Sequence, residues 1–358
     1  MTQSQATALP ATGSRKRVPA LDGVRGIAIL AVMLHHLFHA PLLWMGVDLF
    51  FVLSGFLITT ILLREKEHGF GRYIGHFYQR RAQRILPPYL LILLICIAIY
   101  GAHQFRYWYL YVGGMNFLNT LNLTRVDALP LWSLAVEEQF YFVWPLIVFL
   151  LPRKQIMYVS VALIFLAPVL RYLCTPLFHN PWAIYMLLPF RMDTLAAGSL
   201  AALGWPRFRQ EHNAHQNLRR RLKIAAPFLG VTGFAVCVGL ARHGITAYYA
   251  TPIGNVVLYE ATLVVVLSVF GSALLGSIPS FFAWRPFIWF GTLSYTIYLV
   301  HLVTFEQVKR VIHSPAAPFA AIAITLIYAM ASWRYLEQPI LRMGRPDDKD
   351  LTKALRAV

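Results

Sequence analysis

The sequence predicts an all-α polytopic membrane protein, a bundle of about ten transmembrane helices with both termini on the cytoplasmic side. Three observations predict it. Of the 358 residues, 58% are hydrophobic and only 13% charged, about half the charged share of an ordinary soluble domain. The polar stretches are short, chiefly 64–84, 206–223 and the tail after Arg342, and none can bury a core of its own. The basic residues collect in alternate loops between apolar runs.

A span needs roughly 20 mostly apolar residues. Ten such runs are expected, near 24–43, 47–63, 85–102, 131–151, 155–174, 183–203, 224–241, 254–275, 287–305 and 316–333. The stretch 103–130 is aromatic but carries Arg106, Arg125 and Asp127. It reads as a surface loop, a re-entrant piece or an eleventh span. With ten spans and the N-terminus inside, the inner segments hold 24 of the 32 Lys and Arg and the outer segments 6. That asymmetry supports N-in and C-in, whereas an eleventh span would spoil it. The layout is a cytoplasmic basic tail over 1–20, a transmembrane domain over 21–342 and a cytoplasmic tail over 343–358. No internal repeat is visible.

The net charge of +17 is therefore read as orienting the chain across a membrane, and no nucleic-acid partner is expected. Cys96, Cys174 and Cys237 each lie in an apolar run and read as packing residues, with neither a disulfide framework nor a metal site. The first span carries Arg25, His35 and His36, which the apolar stretch of a cleaved signal would avoid, so it is expected to be retained.

Ionisable groups inside spans are costly and usually mark function. Arg25 and His36 are 11 residues apart. At 100° per residue they differ by about 20° around a helix, and they stand roughly 16 Å apart along it. Taken singly, Arg25 reads as a snorkelling cation and His36 as a hydrogen-bonded core histidine. Together they put a cation and an imidazole on one face, whereas His35 points about 80° away from Arg25. Arg81 and Arg84 are neighbours at i, i+3 and form a guanidinium cluster with Arg80. Such forks suit phosphate oxygens, and positive-inside bias with contacts to anionic membrane lipid is the plainer reading.

In the run Trp132 to Tyr141, Ser133, Glu137 and Tyr141 follow i, i+4, i+8 and form a polar stripe. Glu137 is therefore the inward carboxylate, and Glu138, turned about 100° away, is expected to make an interhelical bond. Asp48 opens the second span. Ser294, Tyr298 and His301 share a face late in the chain and are read as interhelical hydrogen-bonding groups.

These pieces resemble the membrane-bound acyltransferase 3 family, whose members O-acylate bacterial surface glycans and some small molecules. The resemblance spans about residues 20–342. Leu21-Asp22-Gly23-Val24-Arg25 followed by His36 is similar to its Arg-x(10)-His signature, and Gly46 to Ile58 to its second motif. Arg81 and Arg84 occupy its Arg-x-x-Arg element, and Trp132-Ser133-Leu134 with Glu137 its Trp-Ser-Leu-x-x-Glu element. Ser294-Tyr295 with Tyr298-Leu299 and His301 is similar to a late-span motif, and Tyr335-Leu336-Glu337-Gln338-Pro339 to the closing one.

The resemblance implies a plasma (inner) membrane protein that takes an acyl group, acetyl expected, from cytoplasmic acyl-CoA. Acyl-CoA is then a substrate, and no bound cofactor is expected. Some family members carry an extracytoplasmic hydrolase-like domain, whereas a stand-alone acyltransferase is expected here. The chemistry is transfer from a thioester to a hydroxyl, which needs a base; histidine is tuned nearest neutrality. His36 takes that role, by direct deprotonation or through an acyl-imidazole. Asp48 or Glu137 orients the ring, and Arg25, Arg81 and Arg84 hold the donor's phosphates. Glu138, Ser133, Tyr298 and His301 are secondary candidates. The acceptor is a carbohydrate hydroxyl or, alternatively, a small lipophilic molecule such as a macrolide. A proton-coupled transporter and a non-catalytic scaffold for glycan assembly are the non-enzyme alternatives; the missing repeat counts against a transporter.

Overall fold

The computed structural model describes residues 19–123, 129–210, 216–247 and 251–343. The basic run Arg15-Lys16-Arg17, Arg125 with Asp127, and the tail after Met343 lie outside the described residues.

Among these residues the elements are helices: α1 (Pro19–Phe38), α2 (Gly46–Glu65), α3 (Phe70–Tyr100), α4 (Met115–Thr120), α5 (Trp132–Leu150), α6 (Arg153–Cys174), α7 (Trp182–Met186), α8 (Met192–Gln210), α9 (Gln216–Arg242), α10 (Pro252–Leu275), α11 (Pro279–Phe282), α12 (Arg285–Val311), α13 (Ala317–Ser332) and α14 (Gln338–Met343). A π turn, Trp333–Glu337, joins the last two. Nine stretches among the described residues are long and apolar enough to cross a membrane: α1, α2, α3, α5, α6, α9, α10, α12, and α13 running on into α14. The all-α polytopic architecture is as expected.

The sixth expected span, 183–203, is not one helix. α7 ends at Met186, Leu187 is extended (φ −86°, ψ 141°), and a single 3-10 turn, Leu188–Phe190, leads into α8. Pro189 explains the break, because proline lacks the backbone donor a continuing helix would need and its ring would clash with the preceding turn. Irregular backbone inside a bundle needs protein partners. Arg171 supplies them, donating from Nε and Nη2 to the Phe190 carbonyl at 2.9 and 2.6 Å. Arg171 lies in the last turn of α6 and is 1% exposed.

The stretch 103–130 forms no spanning helix among its described residues. It folds as two 3-10 turns and the short α4, tucked in by Phe105, Tyr111, Met115 and Leu118. Polar groups hold it too: Tyr89 donates to the Tyr111 carbonyl, and Gln139 to the Gly113 carbonyl at 2.8 Å. Cys96 and Cys237 are buried free thiols and Cys174 is partly buried, as packing residues should be.

Helices in lipid associate by close packing rather than by the hydrophobic effect, and small residues permit that approach. Two seams show it. α1 packs along α12, where a methyl on Gly26 would lie 1.9 Å from the Phe287 carbonyl oxygen, and one on Gly291 1.9 Å from that of Asp22. α2 packs along α8, where a methyl on Gly55 would meet the Leu195 oxygen at 1.9 Å, and one on Gly198 the Val52 oxygen at 2.1 Å. Backbone therefore touches backbone at both seams. The first brings together the helices that carry His36 and His301.

Candidate active site

Polar residues converge from five helices. Arg25 of α1, Ser54 of α2, Arg81 and Arg84 of α3, Ser133, Glu137 and Tyr141 of α5, and Ser294 and Tyr298 of α12 line one cavity. It contains about 730 Å³ of empty space, part of it continuous with the outside. The stripe Ser133, Glu137, Tyr141 faces this space, as its i, i+4, i+8 spacing predicted. Two hydrogen bonds clamp α3 in place: Tyr78 donates to the Tyr141 carbonyl at 3.1 Å, and Tyr295 to the Ile85 carbonyl at 2.9 Å.

Glu137 is the only carboxylate in the cavity wall among the described residues. Ser54 donates to its Oε1 at 2.5 Å and Tyr141 to its Oε2 at 2.9 Å. Arg81 lies over the Tyr141 ring, 5.4 Å from its centroid. Arg25, Arg81 and Arg84 make no hydrogen bond or ion pair among the described residues. Three guanidiniums thus face a cavity that holds one carboxylate. Arg80, the third member of the expected cluster, is drawn off by Glu65 at 2.6 Å.

His36 does not line this cavity. Its Nδ1 sits 3.0 Å from the Val32 carbonyl oxygen, one helical turn back, and 3.2 Å from Nε2 of His301. The two rings are 5.1 Å apart. His301 is fully buried, and the ring of Tyr298 lies 5.7 Å from it. The hydroxyl of Tyr298 meets Ser133 Oγ at 2.5 Å in the cavity wall. The polar face of α12 therefore runs from the arginine cavity, past Tyr298, to His36. Tyr298 and His301 make the expected interhelical bonds, the latter to His36, a pairing that sequence reading missed, whereas Ser294 donates to the Gly291 carbonyl of its own helix. Spacing along α12 showed a face but not what stood opposite it. Ser54 was passed over as well, though it lies in the second motif. His35 turns away and bonds the Ala40 carbonyl at 2.9 Å.

Asp48 has a different partner from the one expected. It is 1% exposed and accepts from Arg191 Nη2 at 2.8 Å. Arg191 also sits within 6 Å of the rings of Trp44, Phe51, Tyr185 and Tyr259. Beside it, Arg171 pairs with Asp193 and with Glu260, the latter at 3.0 Å. This network ties α2, α6, α8 and α10 together and lies off the cavity wall. Glu138 likewise lies off the cavity wall. Glu337, in the π turn, accepts from Thr296 at 2.6 Å and Ser332 at 3.1 Å.

A family model for an acyltransferase domain matches residues 18–334. The chain is 30% identical to the peptidoglycan O-acetyltransferase OatA of Listeria monocytogenes, over 92% of this chain and 57% of the relative. It is 26% identical to the O-acetyltransferase OatA of Staphylococcus aureus, over 92% of this chain and 58% of the relative. The chain thus spans little more than half the length of these curated relatives. No solved structure matches it. The match covers α1 to the start of the π turn and takes in the arginine cavity and the paired histidines: the chain belongs to the membrane-bound acyltransferase 3 family.

Proposed function

We propose that this protein moves an acetyl group from cytoplasmic acetyl-CoA to a hydroxyl of an extracytoplasmic cell-wall glycan. One observation carries the donor half of this reading. Arg25, Arg81 and Arg84 face a single cavity with no hydrogen-bond or ion-pair partner among the described residues, against the one carboxylate Glu137 in its wall. A surplus of two positive charges inside a helical bundle asks for a polyanion, and guanidinium forks match phosphate oxygens. Glu137, held by Ser54 and Tyr141, spaces the cations. The names of the relatives support the acceptor half, since both speak of O-acetyl transfer and one of peptidoglycan.

In this reading the thioester reaches from the arginines toward His36, roughly 16 Å further along α1. Nε2 of His36 takes the proton of the acceptor hydroxyl as the oxygen attacks the thioester carbonyl. The C–S bond breaks, and the CoA thiolate takes up that proton. The termini are inside, so the arginine cluster meets the cytoplasm and His36 lies toward the far side of the plasma membrane.

Vesicles of known orientation test the whole proposal. With an impermeant glycan fragment outside right-side-out vesicles, acetyl-CoA loaded within should support transfer and acetyl-CoA added outside should not. Transfer that needs both substrates on the cytoplasmic face would overturn it.

A further inference from the structure

We infer that His301 is the positioning residue for the acyl transfer: it fixes His36 in the tautomer that leaves Nε2 bare and shares the proton that His36 takes up. This rests on the reading of His36 as the base.

The hydrogen positions derive from the acceptors around each ring. Nδ1 of His301 lies 2.8 Å from the Tyr298 carbonyl oxygen and 3.2 Å from that of Ile297. A carbonyl oxygen only accepts, so Nδ1 carries the hydrogen. A neutral imidazole has one N–H, so Nε2 of His301 presents a lone pair. That lone pair faces Nδ1 of His36 at 3.2 Å, and the Val32 carbonyl faces the same nitrogen at 3.0 Å. With an acceptor on each side, Nδ1 of His36 carries the hydrogen and shares it in a three-centre bond. Nε2 of His36 is then the unprotonated nitrogen, and no described residue hydrogen-bonds to it.

The Val32 carbonyl alone could hold that tautomer, but it could not take a proton from the charged ring. When Nε2 takes the acceptor proton, the His36 ring becomes a cation between packed helices. The carboxylates expected to steady it are engaged elsewhere: Asp48 with Arg191, and Glu137 with Ser54 and Tyr141. The lone pair on His301 is the group in contact. The Nδ1–H bond of His36 breaks as an N–H bond forms on Nε2 of His301, and the Tyr298 and Ile297 carbonyls receive the other N–H of the charged ring. The proton returns by the same path when the thiolate leaves, so protons balance over the cycle. The usual logic of a catalytic base held by a third group is met here by a second imidazole.

The test uses the full chain in nanodiscs with nitrogen-15-labelled histidine. In the parent, the His36 resonances, identified by their loss in His36→Ala, should show a protonated Nδ1 and a bare Nε2. His301→Ala should lower kcat about 100-fold, within the range of a general-base contribution, with KM for acetyl-CoA unchanged. His301→Gln, whose amide oxygen accepts from Nδ1 but cannot take a proton, should recover about a tenth of the parental kcat. His301→Ala with unaltered kcat would overturn the role of His301 and leave the base standing, whereas a parent with His36 protonated at Nε2 would overturn both the role of His301 and the assignment of Nε2 as the basic nitrogen. An active His36→Ala protein would instead bring down the base itself. If His301→Gln is no better than His301→Ala while both retain the parental fold, the positioning role is overturned as well.

Discussion

The arginines of the cavity between α1, α2, α3, α5 and α12 and those joining α2, α6, α8 and α10 lie inside one bundle, yet their surroundings differ. Arg171 and Arg191 are 1% and 0% exposed and answer three carboxylates, Asp48, Asp193 and Glu260. Arg25, Arg81 and Arg84 are half-buried, line the cavity and share its single carboxylate Glu137. Cations answered by carboxylates hold helices together. Cations in excess wait for a ligand. The state of pairing, more than depth in the membrane, separates a structural charge from a functional one.

The largest effect expected is on catalysis at the far end of the unpaired region. His36→Ala should lower transfer by about 10²–10⁴-fold while the protein inserts and melts as the parent does, and His35→Ala should retain most activity. A dead His35→Ala beside an active His36→Ala would reverse the assignment of the two rings.

Breaking the paired region should act on stability instead. Arg191→Ala strands the buried Asp48 carboxylate and should cost about 3–5 kcal/mol, read as a lowered melting temperature in detergent. Replacing both partners, Asp48→Leu with Arg191→Leu, should regain much of that loss. A stable but inactive Arg191→Ala protein would move this network into the catalytic machinery.

A methyl at the α1–α12 seam comes next. Gly291→Ala puts a carbon against the Asp22 carbonyl and should cost about 1–3 kcal/mol, the usual range for overpacking. By separating His36 from His301 it should lower kcat more than the same change at Gly69, which has open space around it. Equal activity in the two variants would show that the seam does not set the histidine contact.

The smallest effect belongs to the forks. Arg81→Lys or Arg84→Lys keeps the charge but loses the planar donor pair, and should raise KM for acetyl-CoA about tenfold, roughly 1.4 kcal/mol, with kcat and melting temperature nearly unchanged. An unaltered KM would leave these arginines a role in orientation across the membrane alone.

Sequence by itself determined the helical, membrane-spanning class, because about 20 apolar residues in a row have few other soluble fates. It also determined which residues share a face within one helix. Ser133 with Glu137 and Tyr141, and Ser294 with Tyr298, line the cavity because helical periodicity is a local property. Pro189 was legible too, but its consequence was missed: a hydropathy window over 183–203 averages across the break. What only the tertiary structure decided is which face meets which. The partners of Asp48 and His36 lie 143 and 265 residues away along the chain, a separation across which no helical period carries information. Asp48 met an arginine and His36 met a second histidine because glycines let α2 close on α8 and α1 close on α12. Contacts between helices are set by packing in three dimensions, and the order of residues in any one helix does not contain them.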